Sequence, residues 1–397
     1  MNRILFVVAS LATLPAHAQP DPEPTLADDS NIDLGALGLD PDVLFDDKLQ
    51  IYGFADFNYQ VLSSTSPLIP TSQSFYVGNL NLYFKKNITQ RWRALSEVRL
   101  LFAPNGSTNA DGSAMATGVT DAANMERLVS WGGISIERAY LEYDVAPWLS
   151  VRAGHWLTPY GIWNIDHGSP TIIGTVRPYI VGEQFFPEHQ TGIEAFGARG
   201  VGEYKVEYHA TISNGRNPSE ATRDPDLRPS VGGRVALEAP WAGTVRVGIS
   251  GYGGRATESA TVVFDEGAAG IDASWDHGGL HLQGEVLAQR RWYVDGKRAA
   301  RGTGFAANGN AWGMYGLAGY RLSSLWNVMP YVMVERYRPF DPVQFEGVVA
   351  ATAGLNFRPT ASVVLKAQYV VAKFDAGAGA FADSNIQIVQ LQTAWVF

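Results

Sequence analysis

Few residues of this 397-residue chain have the types and spacing that catalysis requires. Cys is absent, which excludes thiolate metal sites, Cys nucleophiles and a disulfide framework. The seven His are scattered. Asp166-His167 and Glu188-His189 fall in one stretch and could offer oxygen and nitrogen ligands to a divalent cation. A lipase at a membrane surface would need a Ser–His pair, and the sequence gives His155 no Ser or Asn partner. Gly248-Ile249-Ser250-Gly251-Tyr252-Gly253-Gly254 is Gly-rich but sits in a strand pattern and opens no helix, so it does not read as a phosphate loop. The reading is a protein without a catalytic residue, metal or cofactor.

The alternative chemistry is that of a charged wall. In several segments a charge recurs at every second residue opposite an apolar set. Arg93, Glu97 and Arg99 alternate with Trp92, Ala94, Val98 and Leu100. Arg138, Tyr140 and Glu142 alternate with Ala139, Leu141 and Tyr143, and Arg152 follows in the next segment. Residues of both signs along a water-filled wall set a transverse field and tune ion preference. So many charges could not enter a dry core unpaired.

Period two requires strands, because successive strand side chains point to opposite faces. The pattern recurs from Leu49 to Phe397 and predicts about sixteen strands, including 49–61, 75–86, 91–102, 135–145, 149–157, 190–199 and 203–213. In the second of these, Tyr76, Leu80, Leu82 and Phe84 are expected on the apolar face. Connections alternate in length. Short turns such as Asn87-Ile88-Thr89-Gln90 and His277-Gly278 interleave with longer loops at about 62–74, 103–134, 158–189, 214–229, 256–265 and 292–310. This predicts an all-β fold: a transmembrane antiparallel β-barrel with short periplasmic turns and long extracellular loops. A sheet in hydrocarbon must close, because no backbone N–H or C=O can go unpaired there. Aromatics beside the short turns, among them Trp92, Trp148, Tyr204, Trp241 and Trp326, read as an interfacial girdle.

Composition agrees. Charged residues are only 17%, aromatics 12%, and Gly is high at 42. Mean hydropathy, −0.07, is too polar for a bundle of membrane helices. Residues 1–18 read as a signal peptide, with a positive start, an apolar run from Ile4 to Leu14 and an Ala16-His17-Ala18 cleavage site. Residues 19–47 hold nine Asp/Glu and no Lys or Arg, and read as an acidic periplasmic linker. The barrel region, 48–397, then carries 29 basic and 30 acidic side chains, so the net charge of −9 belongs to the linker. No surface for nucleic acid is expected.

With these features in place the chain resembles bacterial outer-membrane porins, most closely the phosphate-selective porin O and P family. The resemblance is carried by Ile51-Tyr52-Gly53-Phe54-Ala55-Asp56, by Arg152-Ala153-Gly154-His155-Trp156-Leu157-Thr158-Pro159-Tyr160-Gly161, by Thr352-Ala353-Gly354-Leu355-Asn356-Phe357-Arg358-Pro359 with the following Val363 to Tyr369, and by the terminal Phe397. It implies a sixteen-stranded barrel in outer-membrane lipid, a homotrimer, and a terminal Phe397 read by the barrel-assembly machinery. It also implies an inward third long loop, here 158–189. Asp166, Arg177, Glu183 and Glu188 of that loop are the expected constriction, facing a wall of Arg93, Glu97, Arg99, Arg138, Glu142 and Arg152. Tyr160, Trp163, Tyr179, Phe185 and Phe186 make the loop aromatic, either to anchor it to the wall or to let sugars or aromatic solutes slide. Anion-selective members line the path with many Arg and Lys. This loop has one Arg and no Lys, so phosphate selectivity is not carried over. The expected function is passive diffusion of small hydrophilic solutes or ions. The alternatives are a channel specific for a sugar, carboxylate or anion, and a closed structural or adhesive barrel.

Overall fold

The computed structural model describes residues 48–66, 71–101, 134–164, 168–175, 177–182, 185–216, 224, 226–301, 304–340, 346–375 and 383–397. The expected signal peptide and acidic linker lie outside them. The strands, in chain order, are β1 (Gln50–Ser64), β2 (Ser72–Asn87), β3 (Trp92–Leu101), β4 (Ile134–Ala146), β5 (Leu149–Leu157), β6 (His189–Val201), β7 (Tyr204–Ser213), β8 (Ser230–Ala239), β9 (Thr244–Ser259), β10 (Val262–His277), β11 (Leu280–Tyr293), the two-residue pair β12 (Ala300–Arg301) and β13 (Gly304–Phe305), then β14 (Gly309–Tyr320), β15 (Met329–Arg338), β16 (Val348–Thr360), β17 (Val363–Phe374) and β18 (Asn385–Val396). A single turn of helix, α1 (Tyr179–Gly182), interrupts the connection between β5 and β6.

All strands but β12 and β13 join one closed antiparallel barrel of sixteen, each paired with its sequence neighbour, and β1 with β18. The closing seam runs from Phe54 opposite Val396 to Ser64 opposite Ile386. Phe397 extends it: Gly53 N donates to Phe397 O at 2.8 Å and Phe397 N to Gly53 O at 2.9 Å. Closure leaves no sheet edge, which is the condition for crossing hydrocarbon. The outward positions match. Ile193, Val235, Val247, Ile249, Ile271, Val286, Val332, Val334 and Leu355 are all exposed, while Trp92, Trp148, Tyr204, Trp241 and Trp326 stand exposed at the short-turn rim.

Three expectations need correction. The predicted loop 256–265 is a tight turn. β9 and β10 run on as a hairpin to Ser259 and Val262, because Thr257, Thr261, Val262 and Val263 continue the β-favouring run. Tyr76 faces inward, not outward. The register slips between Ala55 and Phe57, and such a bulge reverses the alternation beyond it. Tyr76 Oη accordingly accepts from Gln390 Nε2 at 2.9 Å. The third correction is that the interior is not uniformly hydrated. Tyr160, Trp163, Ile180, Phe185 and Phe186 of the 158–189 loop pack with Leu287, Tyr315, Leu317, Tyr331, Met333, Tyr337 and Val348 of the wall into one buried apolar cluster. Most inward positions on β14 to β16 are apolar because the loop covers them, and the polar exceptions Glu335 and Asn356 bond to the loop backbone.

Candidate functional site: a loop-divided lumen and its arginine face

The loop after β5 enters the barrel and follows the wall. Its root is closed by Thr158 N donating to Glu188 O (3.0 Å), with Asn164 Nδ2 bridging Thr158 O (2.7 Å) and Glu188 O (3.1 Å). Gly161 then turns at φ 75°, and a Cβ there would run into Glu285 Oε2. This is a backbone conformation and a close approach that only glycine accommodates well. The turn delivers Trp163 N to Glu285 Oε1 of β11 at 3.2 Å, where Tyr315 Oη also donates at 2.8 Å.

Beyond that point the loop crosses to the seam of the barrel. Ser169 Oγ donates to Asp56 Oδ2 of β1 at 2.5 Å. Lys366 Nζ of β17 donates to Ser169 O (2.6 Å) and Gly174 O (2.8 Å), and Arg358 Nη2 of β16 to Pro170 O (2.6 Å). Thr175 reaches Gln368 and Gln390, both at 2.9 Å. The chain then returns along the wall. Tyr179 N donates to Glu335 Oε2 of β15 at 2.6 Å, α1 packs on β14 and β15, and Phe185 O accepts from Arg216 Nη2 at 2.9 Å. Buried backbone needs partners, and the wall supplies them from both carboxylates and cations. Tyr160 Oη lies 2.6 Å from Thr211 Oγ1, and burial raises the pKa of its phenol.

The loop aromatics are therefore anchors, and of the four expected constriction charges Arg177 and Glu188 lie among the described residues. Arg177 Nη1 pairs with Glu188 Oε1 at 2.6 Å, inside the loop itself. Asp166 and Glu183 lie outside the described residues, as does His167. The wall arginines pair with wall carboxylates. Arg93 binds Glu142 and, at 2.6 Å, Asp144. Arg138 Nε lies 2.8 Å from Glu97 Oε2. Arg152 bridges Glu142 (3.0 Å) and Glu194 (3.6 Å), with its guanidinium over the rings of Tyr140 (4.5 Å) and Phe196 (4.2 Å). Arg99 donates to Asn79 at 2.8 Å and lies 3.4 Å from Glu137.

Strict alternation misses Glu137. The register shifts between Glu97 and Val98, so Glu137 is an extra residue in β4, and it meets Arg99 and His189 (2.9 Å). A carboxylate at a nominally lipid-facing position is itself the sequence signal for such a bulge. Also missed are the inward Glu266 and Arg291. His155 does have a partner, Thr191 Oγ1 at 2.7 Å, and it stacks on His189 with centroids 5.1 Å apart. Among the described residues no group of three or more His, Asp or Glu could hold a metal.

One asymmetry decides what this wall presents to water. In the pairs that Arg93, Arg99, Arg138 and Arg152 form with Glu142, Glu137, Glu97 and Glu194, the arginine side chains are 17–27% exposed and the glutamates only 0–8%, whereas Asp144, the second partner of Arg93, is as exposed as the arginine (27% against 24%). The glutamates lie beneath, and the guanidinium groups, with Asp144 beside Arg93, form the surface.

No protein-family model matches the chain. An uncharacterized protein of Aquifex aeolicus is 33% identical over 91 residues, a stretch covering 22% of this chain and 20% of that one. Among solved structures, an anion-selective porin from Comamonas acidovorans superposes with a TM-score of 0.60 at 12% identity, over 88% of this chain and 99% of that one. OmpT of Vibrio cholerae gives 0.55 at 8% identity (89% and 99% covered), and the outer-membrane channel DcaP of Acinetobacter baumannii 0.53 at 11% (88% and 97%). OmpT has also been solved in a trimer form. At these identities the likeness is one of fold: the chain has the closed sixteen-stranded barrel of outer-membrane porins.

Proposed function

We propose that the protein is an outer-membrane porin for passive diffusion of small hydrophilic solutes, with a preference for anions. The observation that carries the reading is the layered wall, with Arg93, Arg99, Arg138 and Arg152 at the surface and Glu97, Glu137, Glu142 and Glu194 below, which outweighs the one surface carboxylate, Asp144. An ion moving along the wall meets guanidinium groups first, and the buried carboxylates hold them in place without cancelling their field at short range. The loop narrows the passage by lining the wall from β10 round to β1, and Arg177 with Glu188 lies on it. No bond is made or broken, so no catalytic group is required. Assembly as a homotrimer, recognition of Phe397 by the barrel-assembly machinery, and an acidic periplasmic linker at 19–47 belong to this proposal. The phosphate-selective specialisation does not.

The test is single-channel conductance of the refolded protein in a planar bilayer, with reversal potential across a KCl gradient. Ohmic steps and a reversal potential of the sign for chloride selectivity are expected. A cation-selective sign removes the anion preference. Absence of steps, from protein shown to be folded by heat-modifiable mobility, removes the channel and leaves the closed structural barrel.

A further inference from the structure

Where the loop rejoins the wall at the long-loop rim, the charges of the described residues around Arg291 do not balance. Arg291 of β11 stands directly opposite Glu266 of β10. Yet both oxygens of Glu266 are taken by others: Arg216 Nε donates to Oε1 at 2.9 Å and Gln289 Nε2 to Oε2 at 2.6 Å. Glu266 is buried, and the other nearby carboxylate, Glu258, is exposed on the β9–β10 hairpin. Two guanidinium groups thus share one buried carboxylate. Among the described residues Arg291 has no ion pair or hydrogen bond, and its Nε is shut away without an acceptor. What it has is aromatic cover. Its Cζ lies 4.7 Å from the Phe264 ring centroid and 4.0 Å from that of Phe340. A guanidinium stacked on rings keeps its plane and can bind a ligand only along its N–H edge. A carboxylate matches the Nη1–Nη2 end of that edge with two parallel bonds, and the half-buried Phe340 ring beside it suits a short hydrocarbon tail.

We infer that Arg291, backed by the buried Phe264 and flanked by Phe340 and the neighbouring Arg216, forms a docking site for small organic carboxylates on the extracellular side of the loop. It deepens the anion reading above and rests on it. The site would hold a carboxylate briefly before it passes the arginine face. Binding on the path makes conductance saturate with permeant-ion activity, which free diffusion does not.

The experiment compares single-channel conductance against activity in potassium butyrate, KCl and potassium phosphate, using the refolded full chain and the variants Arg291→Gln and Arg291→Lys, each checked for folding by heat-modifiable mobility. Butyrate conductance is expected to saturate for the wild type and stay linear in KCl. Arg291→Gln should raise the half-saturating butyrate activity tenfold or more. Arg291→Lys should do nearly the same, because it keeps the charge and loses the fork. A linear butyrate response in the wild type overturns the site, and so does wild-type saturation in Arg291→Lys. Phosphate saturating at lower activity than butyrate overturns the carboxylate assignment. Because each of these outcomes is read from an open channel, it leaves the porin reading intact; a folded protein without steps in any salt removes both.

Discussion

At the residue scale, the wall depends on a few side chains that hold buried charge. Glu194 is fully buried, with Arg152 at 3.6 Å and His209 Nδ1 at 2.7 Å. Removing one partner of a buried pair strands the other charge at a cost of about 3–5 kcal/mol. Arg152→Met is therefore expected to lower the urea midpoint of the refolded barrel clearly, whereas a substitution at exposed Lys86 should not. An unchanged midpoint for Arg152→Met would show that Glu194 is carried by His209 alone. Gly161 is a second sensitive point, where both φ and the nearness of Glu285 oppose a side chain. Gly161→Ala should release the Trp163–Glu285 bond and let the loop root lift. The expected record is a larger unitary conductance with a noisier open level, and a trace indistinguishable from wild type contradicts that.

At the element scale, the loop between β5 and β6 behaves as an internal lining. Its polar backbone is satisfied by wall side chains, and its apolar side chains complete a core that the wall alone cannot close. Lys366 illustrates the dependence, since one ammonium group serves the carbonyls of both Ser169 and Gly174. Leaving a buried carbonyl unpaired costs roughly 1–3 kcal/mol. Lys366→Met should therefore free the 168–175 segment, raising conductance and open-channel noise while the barrel keeps its heat-modifiable mobility. Loss of that mobility would mean that Lys366 supports the strands and not only the loop.

At the scale of the whole molecule, ion preference comes from a field, and fields are screened. The Debye length falls from about 30 Å at 0.01 M to about 3 Å at 1 M. The chloride preference should fall as salt rises at a fixed gradient ratio, and a reversal potential independent of salt would argue for selection by size. Removing residues 19–47, with their nine carboxylates, should raise chloride preference at low salt and leave it unchanged at 1 M. An effect of equal size at both concentrations would not be electrostatic.

The architecture was legible along the chain because a barrel wall between lipid and water imposes period two, and closure forces regular returns. Sixteen strands, their order and nearly all their limits follow from that alone. Alternation also puts Arg93, Glu97, Arg99, Arg138, Glu142 and Arg152 of β3 to β5 on the charged face, but not Glu137 of β4. Two kinds of fact did not follow. Bulges at Ala55–Phe57 and at Glu97–Val98 reverse or double the faces, and alternation cannot see a single extra residue except as a misplaced polar group, as at Tyr76 and Glu137. The other is where the loop goes. β15 and β16 carry apolar side chains on both faces, at Tyr331, Met333, Val348 and Ala350 inward and at Val332, Val334 and Val349 outward. That is the mark of a wall covered on its inner side, but it does not say by what. Only the tertiary structure decides it, because the contacts that hold the loop, such as Ser169 with Asp56 and Thr175 with Gln390, join residues more than a hundred positions apart. The same holds for which charge of each pair reaches water: sequence supplies Arg93 and Glu142 as equals, and packing puts the carboxylate beneath.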